Sequence, residues 1–294
     1  MSQQRPTLAF IGAGKVAQTV ARLWAQQGYA INAIASRTPA HAQALAEQVQ
    51  APVTSIEEAA SSAELVCLAV ADDAIQPVAA SLAELDWQGR ALIHFSGAHS
   101  IGTLQNVAQA GAMVGGLHPA FPFADVEQSI ENLPGAAFAI EARDETLRGW
   151  LYSLVASIEG HIIDIPPGQK AIYHAALCIA SNYTVTLYSI AQDLLAQIGA
   201  DTHTSQAALH PLLMATLHNI VQTGIPDALT GPLSRADTHT IEAHLKALEE
   251  QPQLADTYRN LARLSYPMLA ARHVPFHEIE SLLQRTEQNA PDDT

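Results

Sequence analysis

Leu8-Ala9-Phe10-Ile11-Gly12-Ala13-Gly14-Lys15-Val16-Ala17 reads as a short apolar strand that turns through two glycines into the start of a helix. The spacing Gly-x-Gly-x-x-Ala gives each small residue a task. Gly12 permits the tight turn, Gly14 lets the backbone approach a pyrophosphate, and Ala17 keeps the helix close to the sheet, while the amides at the helix start face the phosphates. The motif stands after an apolar strand and before a helix, which is the context such a turn requires.

Outward from this turn, short β-rich runs alternate with amphipathic helical segments. The expected strands are Thr7–Ile11, Ala30–Ala35, Leu65–Val70, Ala91–Phe95, Met113–Gly116, Ala137–Ile140 and His161–Ile165, with helices over stretches such as Val16–Gln27 and Pro39–Gln50. This is the texture of an α/β, doubly wound parallel sheet of the Rossmann type, expected over residues 1–165. After Pro166-Pro167-Gly168 no strand pattern remains. Alanine- and leucine-rich stretches, broken near Gly199, Gly224–Pro226, Gly231-Pro232, Pro252 and Pro275, predict an all-helical second domain of about five helices over residues 166–294. The polar tail from Thr286 is expected to fray.

The end of the second strand normally carries an acidic residue for the ribose hydroxyls of NAD. Here it reads Ala35-Ser36-Arg37-Thr38. An arginine between two hydroxyls suits a 2′-phosphate, so NADP is expected in preference to NAD, with Gly12, Ala13, Gly14, Lys15, Val16, Ala17, Ser36, Arg37, Thr38, Val70 and Ala71 as its binding residues. Asp72 and Asp73, just beyond, read equally as helix caps.

Composition narrows the function classes. Hydrophobic residues are 48% and charged residues 15%, an ordinary globular balance. The net charge of −15 disfavours nucleic acid and anionic membranes as partners. No apolar run approaches about 18 residues, so no membrane span is expected. The polar start Met1–Thr7 lacks the pattern of a signal peptide, and the two cysteines, Cys67 and Cys178, lie in apolar segments, which together predict a cytoplasmic address.

His94-Phe95-Ser96-Gly97-Ala98-His99-Ser100, Gly116-Leu117-His118-Pro119 with Phe123, Lys170–Tyr183 and Gly231-Pro232-Leu233-Ser234-Arg235-Ala236-Asp237, taken with the Gly12–Ala17 turn, resemble the Rossmann-like proteins that carry a C-terminal DUF2520 domain. These are relatives of the 3-hydroxyacid dehydrogenases, ketopantoate reductase and pyrroline-5-carboxylate reductase. The resemblance implies an NADP-linked oxidoreductase with a helical dimerisation domain of the 6-phosphogluconate dehydrogenase C-terminal kind, and hence a homodimer. It implies no particular substrate.

By the same resemblance Ser96 and Gly97 would grip the substrate, and Lys170 would match a lysine acid or base whose partner asparagine is replaced here by His174. The residues themselves allow this chemistry. Lys170 and His174 are four apart on one helical face, Ser181 falls near the same stripe, and Asn182 stands beside it. Carbonyl reduction needs a proton donor besides the hydride, which a lysine of lowered pKa or a histidine supplies. Ser96 reads equally as a cap, His118 as a structural turn residue, and Arg235 either as an anion-binding group or as the local partner of Asp237. The 13 histidines lack compact ligand spacing, and no metal is expected. The expectation is a dehydrogenase or reductase of a small anionic carbonyl, hydroxyacid or imine. Its rivals are a non-catalytic NADP-binding redox sensor and an enzyme that uses a deazaflavin.

Overall fold

The structure, a computed structural model, describes residues 5–288, so most of the polar start and residues 289–294 of the tail lie outside the described residues. Residues Thr286–Gln288, placed in the expected frayed tail, are helical. The chain divides into two compact units, Met1–Thr186 and Leu187–Thr294. The helix that opens at Lys170 therefore goes with the first unit, twenty-one residues beyond the expected boundary at 165.

The first unit is built on seven strands, β1 (Leu8–Ile11), β2 (Ile31–Ala35), β3 (Leu65–Leu68), β4 (Ala91–His94), β5 (Met113–Pro119), β6 (Ala137–Ala142) and β7 (His161–Asp164), each at the expected place. They form one sheet in the order β2-β1-β3-β4-β5-β6-β7. Between and after them run α1 (Lys15–Gln26), α2 (Pro39–Val49), α3 (Ile56–Ser61), α4 (Asp72–Ser81), α5 (Gln105–Gln109), α6 (Val126–Asn132), α7 (Glu145–Ala156) and α8 (Lys170–Ala180). The helix α9 (Asn182–Gln197) spans the boundary between the units.

The alternation of strand side chains makes two cores. Leu8, Phe10, Leu65, Cys67, Ala91 and Ile93 join Trp24, Phe138, Leu151 and Leu154 on one face. Ala9, Ile11, Val66, Leu68 and Leu92 join Ile75, Trp87 and Leu104 on the other. β1, β3 and β4 are buried on both faces, which is why they read as near-continuous apolar runs.

The sheet departs from the all-parallel expectation at one place, because β6 runs antiparallel to β5. The connection from Pro119 to Ala137 contains only the seven-residue α6, about 10 Å long, which packs on α1 instead of carrying the chain back along the sheet. β7 then follows β6 in parallel after the twelve-residue α7.

The second unit contains α10 (Thr202–Thr223), α11 (Thr238–Ala247), α12 (Pro252–Leu264), α13 (Tyr266–Ala271) and α14 (His277–Gln288). Its core joins Ile241, Leu245, Ala262, Leu269, Ile279 and Leu283. Seven helices thus follow Pro167 among the described residues, against the five expected. The extra divisions fall at Ser181 and Ser265, whose backbones stay in the right-handed helical region, so the chain bends there without the glycine or open loop that marks a break in sequence. Among the described residues no helix is long and apolar enough to cross a membrane.

At the turn after β1, Gly12 adopts φ +104°, and a Cβ built there would stand 2.1 Å from the carbonyl oxygen of Ala69 at the end of β3. Both conformation and space exclude a side chain. Gly12→Ala is expected to lower unfolding stability by about 2–4 kcal/mol, measured by denaturant titration, while Gly14→Ala, whose Cβ meets nothing within 4 Å, leaves it near wild type.

Candidate active site

The carboxyl ends of β1, β2 and β3 frame a cleft of about 490 Å³. Gly12, Ala13, Gly14, Ser36, Arg37, Thr38, Val70 and Ala71 line it as expected. Lys15, Val16 and Ala17 form the first turn of α1 below: the Lys15 ammonium donates to the Ala124 carbonyl, Val16 packs on the core, and Ala17 is buried. The cleft fits a dinucleotide phosphate. The start of α1 bears no acidic side chain and no side-chain cap, and the space above Gly14 is open. Arg37 makes no ion pair among the described residues, so its guanidinium is available to an anion. Ile11, His41, Ile56, Ala69, Asp73, Ala74, Pro77 and Val78 complete the lining. Of these, His41, Ile56, Pro77 and Val78 carried no signal in the sequence, because they stand on helices with no motif.

A second group of side chains gathers where β4 and β5 end and α8 begins. His94, Gly116 and Glu141 stand side by side in register on β4, β5 and β6. Lys170, in the first turn of α8, is only 3% exposed, and its Nζ has no hydrogen-bond partner. That Nζ lies 3.6 Å from where a Cβ on residue 116 would be, an ordinary contact distance, while the His94 ring would stand closer, at 3.3 Å. Burial lowers the Lys170 pKa from the usual lysine range, against the pull of the Glu141 carboxylate.

His94 is fully buried, and both of its ring nitrogens are engaged. The Ser96 amide donates to Nδ1, and Nε2 stands 3.3 Å from the Ser100 carbonyl. An Nδ1 that accepts an amide proton carries none, so Nε2 holds the hydrogen and the ring is neutral. Its pKa is accordingly pushed down to about 4, first by burial and then by the Lys170 charge.

One turn further along α8, the rings of Tyr173 and His174 meet His118 at the end of β5. Tyr173 Oη is 2.8 Å from His118 Nδ1, and the His118 and His174 rings meet edge-on at 6.4 Å between centroids. A Cβ on Gly97 would lie 2.8 Å from both His118 Nε2 and His174 Cδ2, so only glycine admits this closure. Burial, then Lys170, then His174 push the His118 pKa down to about 4, and burial pushes the Tyr173 phenol up to about 12. The Cys178 thiol sits 3.9 Å from both His174 nitrogens.

Ser96, expected at the substrate, has its hydroxyl occupied. It donates to Asp72 Oδ2, accepts the amides of Ala98 and His99, and lies 3.2 Å from His99 Nδ1. Asp72 also pairs with His99 at 3.3 Å, while the cap of α4 is Ala71. The structure thus brings together Ser96, Gly97, His118, Lys170 and His174. It does not bring in Asn182, which is exposed and starts α9 beyond the bend at Ser181. Arg235 is exposed on a 3-10 turn of the second unit, where Asp237 caps α11 by accepting the Thr240 amide. Tyr173, His94 and Glu141 were missed as site residues, since a tyrosine within a helix and single polar residues on strands carry no spacing signal. Among the described residues no group of three His, Cys, Asp or Glu side chains is placed to hold a metal.

Residues 136–265 match the family described as a domain of unknown function, DUF2520, and residues 7–96 match the family described as coenzyme F420-dependent NADP oxidoreductase. A protein from Thermotoga maritima of solved structure is 25% identical, with a TM-score of 0.76 over 91% of this chain and 100% of that one. A candidate NADP oxidoreductase from Bacteroides fragilis is also 25% identical, with a TM-score of 0.69 over 89% and 98%. A pyrroline-5-carboxylate reductase from Coxiella burnetii, at 16% identity, shares the fold, with a TM-score of 0.60 over 98% and 100%. No curated protein matches the chain significantly in sequence.

The two buried imidazoles make stability depend on acid. Unfolded histidine takes its proton near 6.5, whereas His94 and His118 do so only near 4 when folded. Between these values the unfolded chain binds more protons, so stability is full above pH 6.5 and falls as the pH drops toward 4, by up to about 1.4 kcal/mol per pH unit for each ring. Denaturant unfolding across this range should show that slope, and His94→Gln should shrink it. A stability flat between pH 6.5 and 4 would contradict the assignment of neutral rings.

Proposed function

We propose that this protein, an NADP oxidoreductase, reduces the C=O or C=N bond of a small anionic carbonyl or imine compound, or runs the reverse oxidation. The observation that carries the reading is the buried Lys170, whose ammonium lacks a hydrogen-bond partner and stands in one compact unit with the NADP cleft. Bound NADPH supplies a hydride there. The cluster built around Lys170 supplies the matching proton, Gly97 and His118 border the reacting group, and His174 shapes its space. The anionic substrate class rests on the buried cation and on the compound named for the Coxiella burnetii structure. A sensor that only bound NADP would have no use for an unsatisfied buried ammonium, which costs several kcal/mol to desolvate. The description of the matched F420-dependent family favours, as a second reading, a deazaflavin as the hydride partner of NADP.

Calorimetric titration with NADPH and NADH, followed by NADPH consumption with 1-pyrroline-5-carboxylate and small 2-oxo acids, tests the proposal. NADPH should bind more tightly than NADH, and Arg37→Ala should remove about 1.5–3 kcal/mol of that preference. NADPH binding with no turnover of any probe would favour the sensor.

We propose in addition that the protein acts in the cytoplasm as a homodimer. The free state of both cysteines fits a reducing compartment. The 22-residue α10 has a single buried residue, Ser205, while Leu212, Met214, Leu217, Ile220 and Val221 along it are exposed, Val221 at 78%. An apolar helix of this length needs a covering surface, and a second copy of the same helix supplies one. Light scattering coupled to size exclusion should give twice the mass of 31.3 kDa, and Leu212→Glu with Val221→Glu should give the monomer.

A further inference from the structure

The buried lysine raises a question of access. At 3% exposure Lys170 Nζ does not reach a ligand in the cleft, and His94, the nearest imidazole, is fully buried with both nitrogens committed. His174 has a long contact with the Cys178 thiol and an edge-on contact with the His118 ring. His118 differs from all of these. It is half-buried, one nitrogen is engaged by a phenol at 2.8 Å, and the other, packed beside Gly97, keeps its hydrogen-bonding capacity free among the described residues.

We infer that His118 is the group that hands the proton to the substrate, and that Tyr173 feeds it from behind in a Tyr173–His118 relay held beside the Lys170 charge. The inference rests on the reductase reading given above. The tautomer follows from the pair itself: a phenol is a stronger acid than a neutral imidazole, so Tyr173 Oη donates to Nδ1 and Nε2 carries the hydrogen. Burial and the neighbouring charges keep both partners neutral. Lys170 and His174 on α8 oppose an imidazolium at residue 118, Asp72 at the start of α4 favours it, and His94 on β4 adds a smaller opposition. Lys170 Nζ stands over the Tyr173 ring, 5.9 Å from its centre, where its charge favours a phenolate.

The step balances as follows. The hydride pair forms the new C–H bond, and the π pair of the C=O or C=N bond moves onto its heteroatom. That atom takes the Nε2 proton of His118 as Nδ1 takes the phenolic proton of Tyr173, which leaves a neutral imidazole of the opposite tautomer and a phenolate. The half-buried phenolate regains its proton from solvent beside the Lys170 charge, and the imidazole resets by reversing its tautomer. His118 is thus the catalytic residue, and Tyr173 acts through it.

The test uses the full chain in two arms. In the first, nitrogen NMR of the 15N-histidine-labelled protein without cofactor should show His118 neutral and protonated on Nε2 down to about pH 4. Tyr173→Phe should shift it toward a mixture of tautomers, and Lys170→Met should raise its pKa. In the second, with 1-pyrroline-5-carboxylate and 2-oxo acids as probes, Tyr173→Phe should lower kcat about 100-fold with NADPH affinity unchanged. The solvent-deuterium proton inventory should change from curved in the wild type to linear in the variant. His118→Gln, which keeps a similar volume, should lose turnover at least as severely. Unchanged His118 nitrogen shifts in Tyr173→Phe, or wild-type kcat in that variant, would overturn the relay and leave the reductase reading standing. A wild type that binds NADPH but reduces no probe would overturn the reductase reading, and the catalytic relay with it.

Discussion

An ammonium held out of water without a hydrogen bond is the constraint around which the first unit is arranged. Such a group is tolerated only where neighbouring charges and shapes compensate it. Here the compensation comes from three adjacent strands. Glu141 on β6 supplies the opposite charge, Gly116 on β5 sets no side chain beside the amine, and His94 on β4 adds a neutral ring. The two depressed imidazoles follow, since a second or third cation beside Lys170 would be repelled as well as desolvated.

The reversal of β6 governs where this ammonium can sit. Because β6 and β7 run opposite to the other strands, the chain leaves β7 on the amino side of the sheet and α8 climbs along β5 toward the carboxyl side. Its first turn is therefore deep, with Lys170 over Gly116, and its second turn is at the rim, with Tyr173 and His174 against His118 and Gly97. Two glycines serve close approaches at the sites of this unit. Gly12 passes beneath the Ala69 carbonyl, and Gly97 admits two imidazoles.

Much of this was legible in the residues. All seven strands lie where apolar runs announced them, because buried strands leave little choice of side chain. The Gly12–Gly14 turn and Ser36-Arg37-Thr38 do line the cleft, since their roles depend on local backbone and charge. What sequence could not show was register. Nothing in the chain states that residue 116 lies opposite residues 94 and 141, or that residue 173 reaches residue 118, because such contacts arise from the order and direction of strands. Helical spacing placed Lys170 and His174 on one stripe, but it carried the same stripe through Ser181 to Asn182, where the chain bends away. The lysine was expected from its motif; its burial, which decides what it can do, was not.

The cofactor cleft and the whole ring cluster fall within residues 1–186. The proposed acid–base apparatus and the nucleotide turn are thereby encoded in one continuous stretch of chain. The Tyr173–His118 contact and the turn at Gly12 are therefore inherited together, as a single segment on which selection for the proposed chemistry acts.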